Sequence, residues 1–135
     1  MLESLIAILI VSFGILGMVG LQAQSMRQVN DAQFRAEAAY YASSIAAQMW
    51  AYDPASVETY FSSTGAGFTN FANQITAPVS GLPGAAAHPP TITFNDAAIV
   101  NSNKGKVATI SINWQYPGDT TVHNYSTQAV FGTNQ

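Results

Sequence analysis

Between Ser4 and Met26 the chain carries no Asp, Glu, Lys or Arg. Residues 5–21 are almost wholly Leu, Ile, Val, Ala, Phe, Met and Gly, and an apolar run of roughly 20 residues is what an α-helix needs to cross a bilayer. The run predicts a transmembrane helix. A cleaved secretory signal fits poorly, since its apolar core spans only about 7–15 residues behind a basic segment, and Glu3 stands where that basic segment belongs. The centre of a soluble helical bundle fits poorly too, because the rest of a 135-residue chain is too short to wrap such a helix.

Composition agrees. Hydrophobic residues make up 48% of the chain and charged residues 8%, against roughly 25% charged in a typical soluble domain. The net charge of −3 excludes the basic footprint of a nucleic-acid binder. With no cysteine, disulfide frameworks, thiolate metal sites and cysteine nucleophiles are excluded as well. Low net charge and high hydrophobicity also exclude a disordered polar tail.

Past Met26 the pattern changes without a Pro or a loop signal. Phe34, Ala38, Tyr41, Ile45, Met49 and Tyr52 recur every three or four residues, the period of a helix with one apolar face. Arg35, Glu37, Ser43, Ser44 and Gln48 fill the gaps, so this stretch should lay its stripe on a protein core. Pro54 disfavours helical geometry at Asp53 and ends the helix there. One helix from the first residues to Tyr52 would be roughly 78 Å long. Gly14, Gly17 and Gly20 recur every third residue within it, either softening the helix or letting another helix approach closely.

Residues 55–90 are rich in Ser, Thr, Ala, Gly, Asn and Pro and read as loops with one short helix near residues 68–75. Beyond Pro89-Pro90 the period becomes two. Ala108, Ile110, Ile112, Trp114 and Tyr116 alternate with Val107, Thr109, Ser111, Asn113 and Gln115 over residues 106–116, the pattern of a half-buried strand. Pro117-Gly118-Asp119 signals a turn, and His123, Tyr125, Thr127, Ala129 and Phe131 share one side of residues 121–131. Residues 91–94 are a weaker candidate strand, joined to the hairpin through a loop at 101–105. The organisation is therefore 1–26 as a membrane half-helix, 27–53 as an amphipathic half-helix, and 54–135 as a small region of loops and antiparallel sheet.

Catalytic constellations are not evident. His88 and His123 belong to no metal-ligand spacing such as His-Glu-x-x-His and read as surface residues. No Gly-x-Ser-x-Gly elbow is present. Asn101-Ser102-Asn103-Lys104-Gly105 lacks the aspartates of a calcium loop, and Gly65, Gly67, Gly81 and Gly84 form no phosphate-binding pattern. Glu3 stands apart, because an acid inside a membrane span costs roughly 2.5–3.5 kcal/mol at mid-helix and less near the interface. Either it sits among lipid headgroups, where it needs no partner, or it is paired.

The segment Leu2-Glu3-Ser4-Leu5-Ile6-Ala7-Ile8-Leu9 resembles the N-terminus of type IV pilins, an acid inside an otherwise apolar helix. Ser12-Phe13-Gly14-Ile15-Leu16-Gly17-Met18-Val19-Gly20-Leu21-Gln22, with the Ala-rich helix through Arg35 and Ala46-Ala47-Gln48-Met49, is similar to the PilV-type minor pilins and to the related minor pseudopilins of type II secretion. The resemblance covers the helix by motif and the C-terminal region by architecture. In the family the mature chain begins with a methylated aromatic residue and the acid is fifth. Here Met is first and the acid third, so the resemblance implies that a few residues and a leader precede Met1.

The resemblance implies an α+β, pilin-like fold in which one long N-terminal helix packs on a small antiparallel sheet. It implies a non-enzymatic subunit without cofactor or metal, held in a bacterial inner membrane with its C-terminal region in the periplasm and then drawn into an extracellular pilus. Its partners would be major and minor pilin subunits and a tip adhesin, in the service of adhesion and twitching motility. Glu3 would meet the terminal amine of an adjacent subunit, and Gly14, Gly17 and Gly20 would lie where helices pack. Arg27 lies after the span, which by the positive-inside rule favours the opposite topology; the family pattern is set above that single residue. The rival readings are a minor pseudopilin and a membrane-anchored periplasmic binding module.

Overall fold

The computed structural model describes residues 2–53, 55–79, 81–98 and 104–132. Three helices precede three strands: α1 (Leu2–Trp50), α2 (Val57–Phe61), α3 (Ala66–Thr76), β1 (Thr91–Ala98), β2 (Lys104–Trp114) and β3 (His123–Gly132). The strands form one antiparallel sheet in the order β1-β2-β3. The fold is α+β, a long N-terminal helix whose last part packs on a small antiparallel sheet. Two compact units are distinguished, Met1–Arg35 and Ala36–Gln135, the first being helix alone.

Within the second unit the core has one face from each element. Ala38, Ala42, Ile45 and Met49 are buried on α1, Ala108, Ile110, Ile112 and Trp114 on β2, and Ala129 and Phe131 on β3. The helical stripe therefore differs from the expected one. Ala42, which the spacing argument passed over, is fully buried, whereas Phe34 and Tyr41 are half-buried and Tyr52 is exposed. Two small residues one turn apart, Ala38 and Ala42, form the contact line here, which displaces the larger Tyr41 to its flank. Burial and the neighbouring Glu37 push the Tyr41 phenol above its usual range.

Tyr52 lies beyond the helix, which tightens in its last turn as the Tyr52 N–H reaches the Met49 carbonyl at 3.1 Å. Its ring stacks instead on Tyr60, with centroids 4.4 Å apart, and meets Phe61 edge-on. Phe61 belongs to α2, a helix absent from the expected loop; with Val57 it presents a buried pair four residues apart. The expected short helix is α3, extended at both ends, with Phe71 and Ile75 buried. It sits close to α2, since a Cβ on Gly67 would come within 2.7 Å of the Tyr60 and Phe61 rings.

The hairpin follows its turn chemistry. The Asp119 N–H donates to the Tyr116 carbonyl at 3.1 Å and Gly118 takes a φ of +83°, so Pro117 and Gly118 occupy the two central positions of a type II turn. β1 is longer than its alternating residues 91–94, since Asn95 to Ala98 pair with Lys104 to Val107. Lys104 and Gly105 thus belong to β2 rather than to the expected loop, of which residues 101–103 lie outside the described residues.

Candidate functional site

From Leu2 to Asn30 every residue of α1 is exposed. Mean hydropathy reaches 2.5 over 18 residues of this helix, none of them buried, so it is long and apolar enough to cross a membrane. A helix apolar on all sides has no face to offer water. Leu5, Ile8, Leu9, Ser12, Phe13 and Leu16 line a shallow, almost wholly apolar groove along it. The one hydroxyl in that groove, on Ser12, donates back to the Ile8 carbonyl at 2.7 Å, which satisfies it within the helix.

Glu3 lies in the first turn of α1, where a carboxylate also complements the positive end of the helix dipole. Gly14, Gly17 and Gly20 follow along the helix, and a Cβ placed on any of them meets nothing within 4 Å. Among the described residues nothing therefore requires glycine at these positions for packing. Glu3 and the glycines lie on one uncovered helix surface, and the chain brings no other described element to them.

The globular unit holds two polar clusters. Lys106 bonds to Glu58 of α2 and to Asp96 of β1, the latter at 3.3 Å. These two bonds hold the Lys106 ammonium above its usual range, in spite of partial burial. The sequence did carry a signal for this triad: Lys106 has the same parity as Ala108 and Ile110, which puts a charge on the inward face of β2 and demands an acid opposite. Which acids answer it, Asp96 directly across the β1–β2 pairing and Glu58 on α2, could not be read from spacing.

The second cluster surrounds the turn between β2 and β3. Gln115 accepts a contact from His88 at 3.2 Å and donates to the Asp119 carbonyl at 2.8 Å. The Asp119 carboxylate accepts the Thr121 N–H at 3.0 Å, which lowers its pKa below the usual carboxylate value, and lies 3.7 Å from His123 Nε2. The His123 ring is stacked on Trp114 and meets Tyr116 edge-on. Both histidines are thus half-buried, not the surface residues expected, because an amide holds one and two aromatic rings hold the other. This is the arrangement of a braced turn; among the described residues no three His, Asp or Glu side chains converge to hold a metal ion.

The outward face of the sheet is uncharged and mostly polar, with Val107 and Val130 as an apolar pair within it. Asn124 donates to Ser111 at 2.6 Å and to Asn113 at 2.7 Å, and Gln128 to Thr109 at 3.4 Å. Comparison with protein-family models, with curated proteins and with solved structures finds no match to this chain.

Proposed function

We propose that this chain is a PilV-like minor type IV pilin, a structural subunit whose helix anchors it in a bacterial inner membrane and then enters a pilus filament, near the initiating tip. The observation that carries the reading is the contrast along α1: an uncharged surface exposed on every side, continuing into a segment that packs on an antiparallel sheet. A membrane anchor alone needs the first property. A filament subunit also needs its apolar helix to exchange lipid for the helices of other subunits, and the unfilled glycine positions suit close helix approach.

In this reading Glu3 pairs with the terminal amine of a neighbouring subunit once the helices have left the membrane. Glu3→Ala should leave insertion intact or improved, since a charge is removed from the edge of the span. Incorporation should fall, because breaking a buried ion pair from one side costs roughly 3–5 kcal/mol. Glu3→Gln, which still accepts a hydrogen bond, should fall between. The measurement is the ratio of this subunit in sheared pili to that in the membrane fraction, at equal expression. A wild-type ratio for Glu3→Ala would remove Glu3 from the mechanism and favour a plain membrane-anchored module.

A further inference from the structure

The chain contains no cysteine, so a disulfide cannot staple it. It has 6 tyrosines, and their rings meet in two pairs. Tyr40 and Tyr41 are neighbours on α1 whose rings meet edge-on, with centroids 5.9 Å apart. Tyr52 and Tyr60 are stacked instead, their planes 20° apart and their centroids separated by 4.4 Å. The backbone arranges this. The Asp53 carbonyl accepts the N–H groups of Ser56 and Val57, each at 3.0 Å, which turns the chain after α1 so that α2 brings Tyr60 back over Tyr52. The Tyr60 ring also lies against Gly67, where a Cβ would come within 2.6 Å of it. The two hydroxyls interact as well, since a hydrogen bond with Tyr60 is the first cause that raises the Tyr52 phenol above its usual range. Stacked rings whose hydroxyls meet also bring together the Cε carbons beside those hydroxyls. Tyr52 is 40% exposed, open to an oxidant from solvent.

We propose that Tyr52 and Tyr60 are a site of oxidative cross-linking, at which one-electron oxidation by peroxide and a peroxidase joins the two rings as a dityrosine. Each phenol gives up one electron and its hydroxyl proton, leaving a radical whose unpaired spin is shared between Oη and the Cε carbons. A Cε of one ring then bonds to a Cε of the other. The hydrogen on each of those carbons moves to Oη as the rings regain aromaticity, so both phenols are restored. In balance two protons and two electrons leave the pair, and one hydrogen peroxide takes them up to become two waters. Because the rings are already held together, coupling within one chain competes well with coupling between chains. Trp50, 63% exposed and two residues before Tyr52, is the rival target, but its oxidation adds oxygen and forms no bond to Tyr60. The link would close a loop over the break between α1 and α2 and fasten them as a disulfide fastens two segments. Both tyrosines belong to the globular unit, so the site is independent of the pilin reading.

The test treats the full-length chain, dilute in detergent, with hydrogen peroxide and a haem peroxidase. The monomer should gain the blue fluorescence of a biphenol and lose two hydrogen atoms from its intact mass. Glu58 lies between the two tyrosines, so cleavage after it in the denatured chain should leave their peptides joined. Tyr52→Phe and Tyr60→Phe each keep a ring in the stack but remove one phenol, and each should lower the fluorescence of the monomer at least about tenfold. Tyr40→Phe should leave it unchanged. The yield per chain should also be indifferent to dilution, as an intramolecular step requires. Fluorescence confined to dimers, full yield from Tyr60→Phe, an equal loss from Tyr40→Phe, or oxygen added at Trp50 without any biphenol would overturn the proposal.

Discussion

The two stretches of α1 are one continuous helix with opposite surroundings. Residues 2–30 are the more apolar and bury nothing within the chain, whereas from Ala38 onward burial returns at Ala42, Ile45 and Met49. Apolar content is therefore a poor guide to what forms the core. Periodicity is the better one: a helix with a polar face can be satisfied by its own chain, while one without it needs lipid or other helices. The same substitution should then have different consequences in the two stretches, and the following experiments test that difference.

The largest effect is expected in the globular unit. Trp114 is 1% exposed, and Trp114→Ala should cost about 3–5 kcal/mol as a large-to-small core change. Thr109, on the other face of the same strand, should change by less than about 0.5 kcal/mol on replacement by Ala. The check is chemical denaturation of the full chain in detergent, followed by circular dichroism in the β-sheet region. Coinciding midpoints for the two variants would mean that the face of β2 has been assigned wrongly. Trp114→Phe should be mild, since the indole N–H it removes is buried without a hydrogen-bond partner among the described residues.

This assignment was legible because β2 alternates without interruption, and the parity of Ile110, Ile112 and Trp114 leaves one choice of face. The helix and the hairpin turn were legible for similar local reasons. α2 was not, since five residues give a periodic signal no time to accumulate. The second half of β1 was not either: Asn95, Asp96 and the alanines after it have little strand preference, and pairing with β2 makes them a strand. The choice of Ala42 over Tyr41 depends on how closely the helix approaches the sheet, which no spacing rule contains. At the candidate site, Glu3 and the glycines could be read as a pattern, whereas the Lys106 triad required tertiary proximity.

The next effect belongs to the first stretch. Ile15→Asp places an acid near the middle of the uncharged run and should cost roughly 2.5–3.5 kcal/mol of membrane insertion. Carbonate extraction of the membrane fraction should then release the variant while the parent chain stays behind. Retention of both would show that residues 5–21 do not span a bilayer. The denaturation midpoint of the sheet is expected to be unchanged, because Ile15 is exposed and belongs to the helical unit.

A gentler pair makes the comparison direct. Ile45→Val deletes one buried methylene and should lower the stability of the globular unit by about 0.5–1.5 kcal/mol. Ile15→Val makes the identical deletion at a residue 58% exposed and should leave that midpoint where it was. If both variants shifted it equally, the first stretch would be part of the same cooperative core, and the division between the two stretches would lose its energetic meaning.

The smallest effect comes from pH. Between Ser4 and Met26 there is no charged side chain to titrate, so acid sensitivity of the fold should reside in the globular unit. Asp119 is held below the usual carboxylate value, first by the Thr121 N–H and with a lesser contribution from His123. A carboxylate with a lowered folded pKa adds stability that is fully present above its unfolded value, about 3.9, and is lost as pH falls through that value toward the folded one. Thermal melts of the sheet from neutral pH down to pH ~2 should therefore decline along a limb that begins near that unfolded value. Asp119→Asn keeps an acceptor for Thr121 without a titrating charge and should flatten part of that limb, while leaving the helical signal of residues 5–21 unaffected. Since the side chain is exposed to water, the difference should be small. Parallel pH slopes for the two proteins would assign the acid limb to other carboxylates, and the brace at the β2–β3 turn would then owe its hold to the Gln115 amide and the rings of Trp114 and Tyr116.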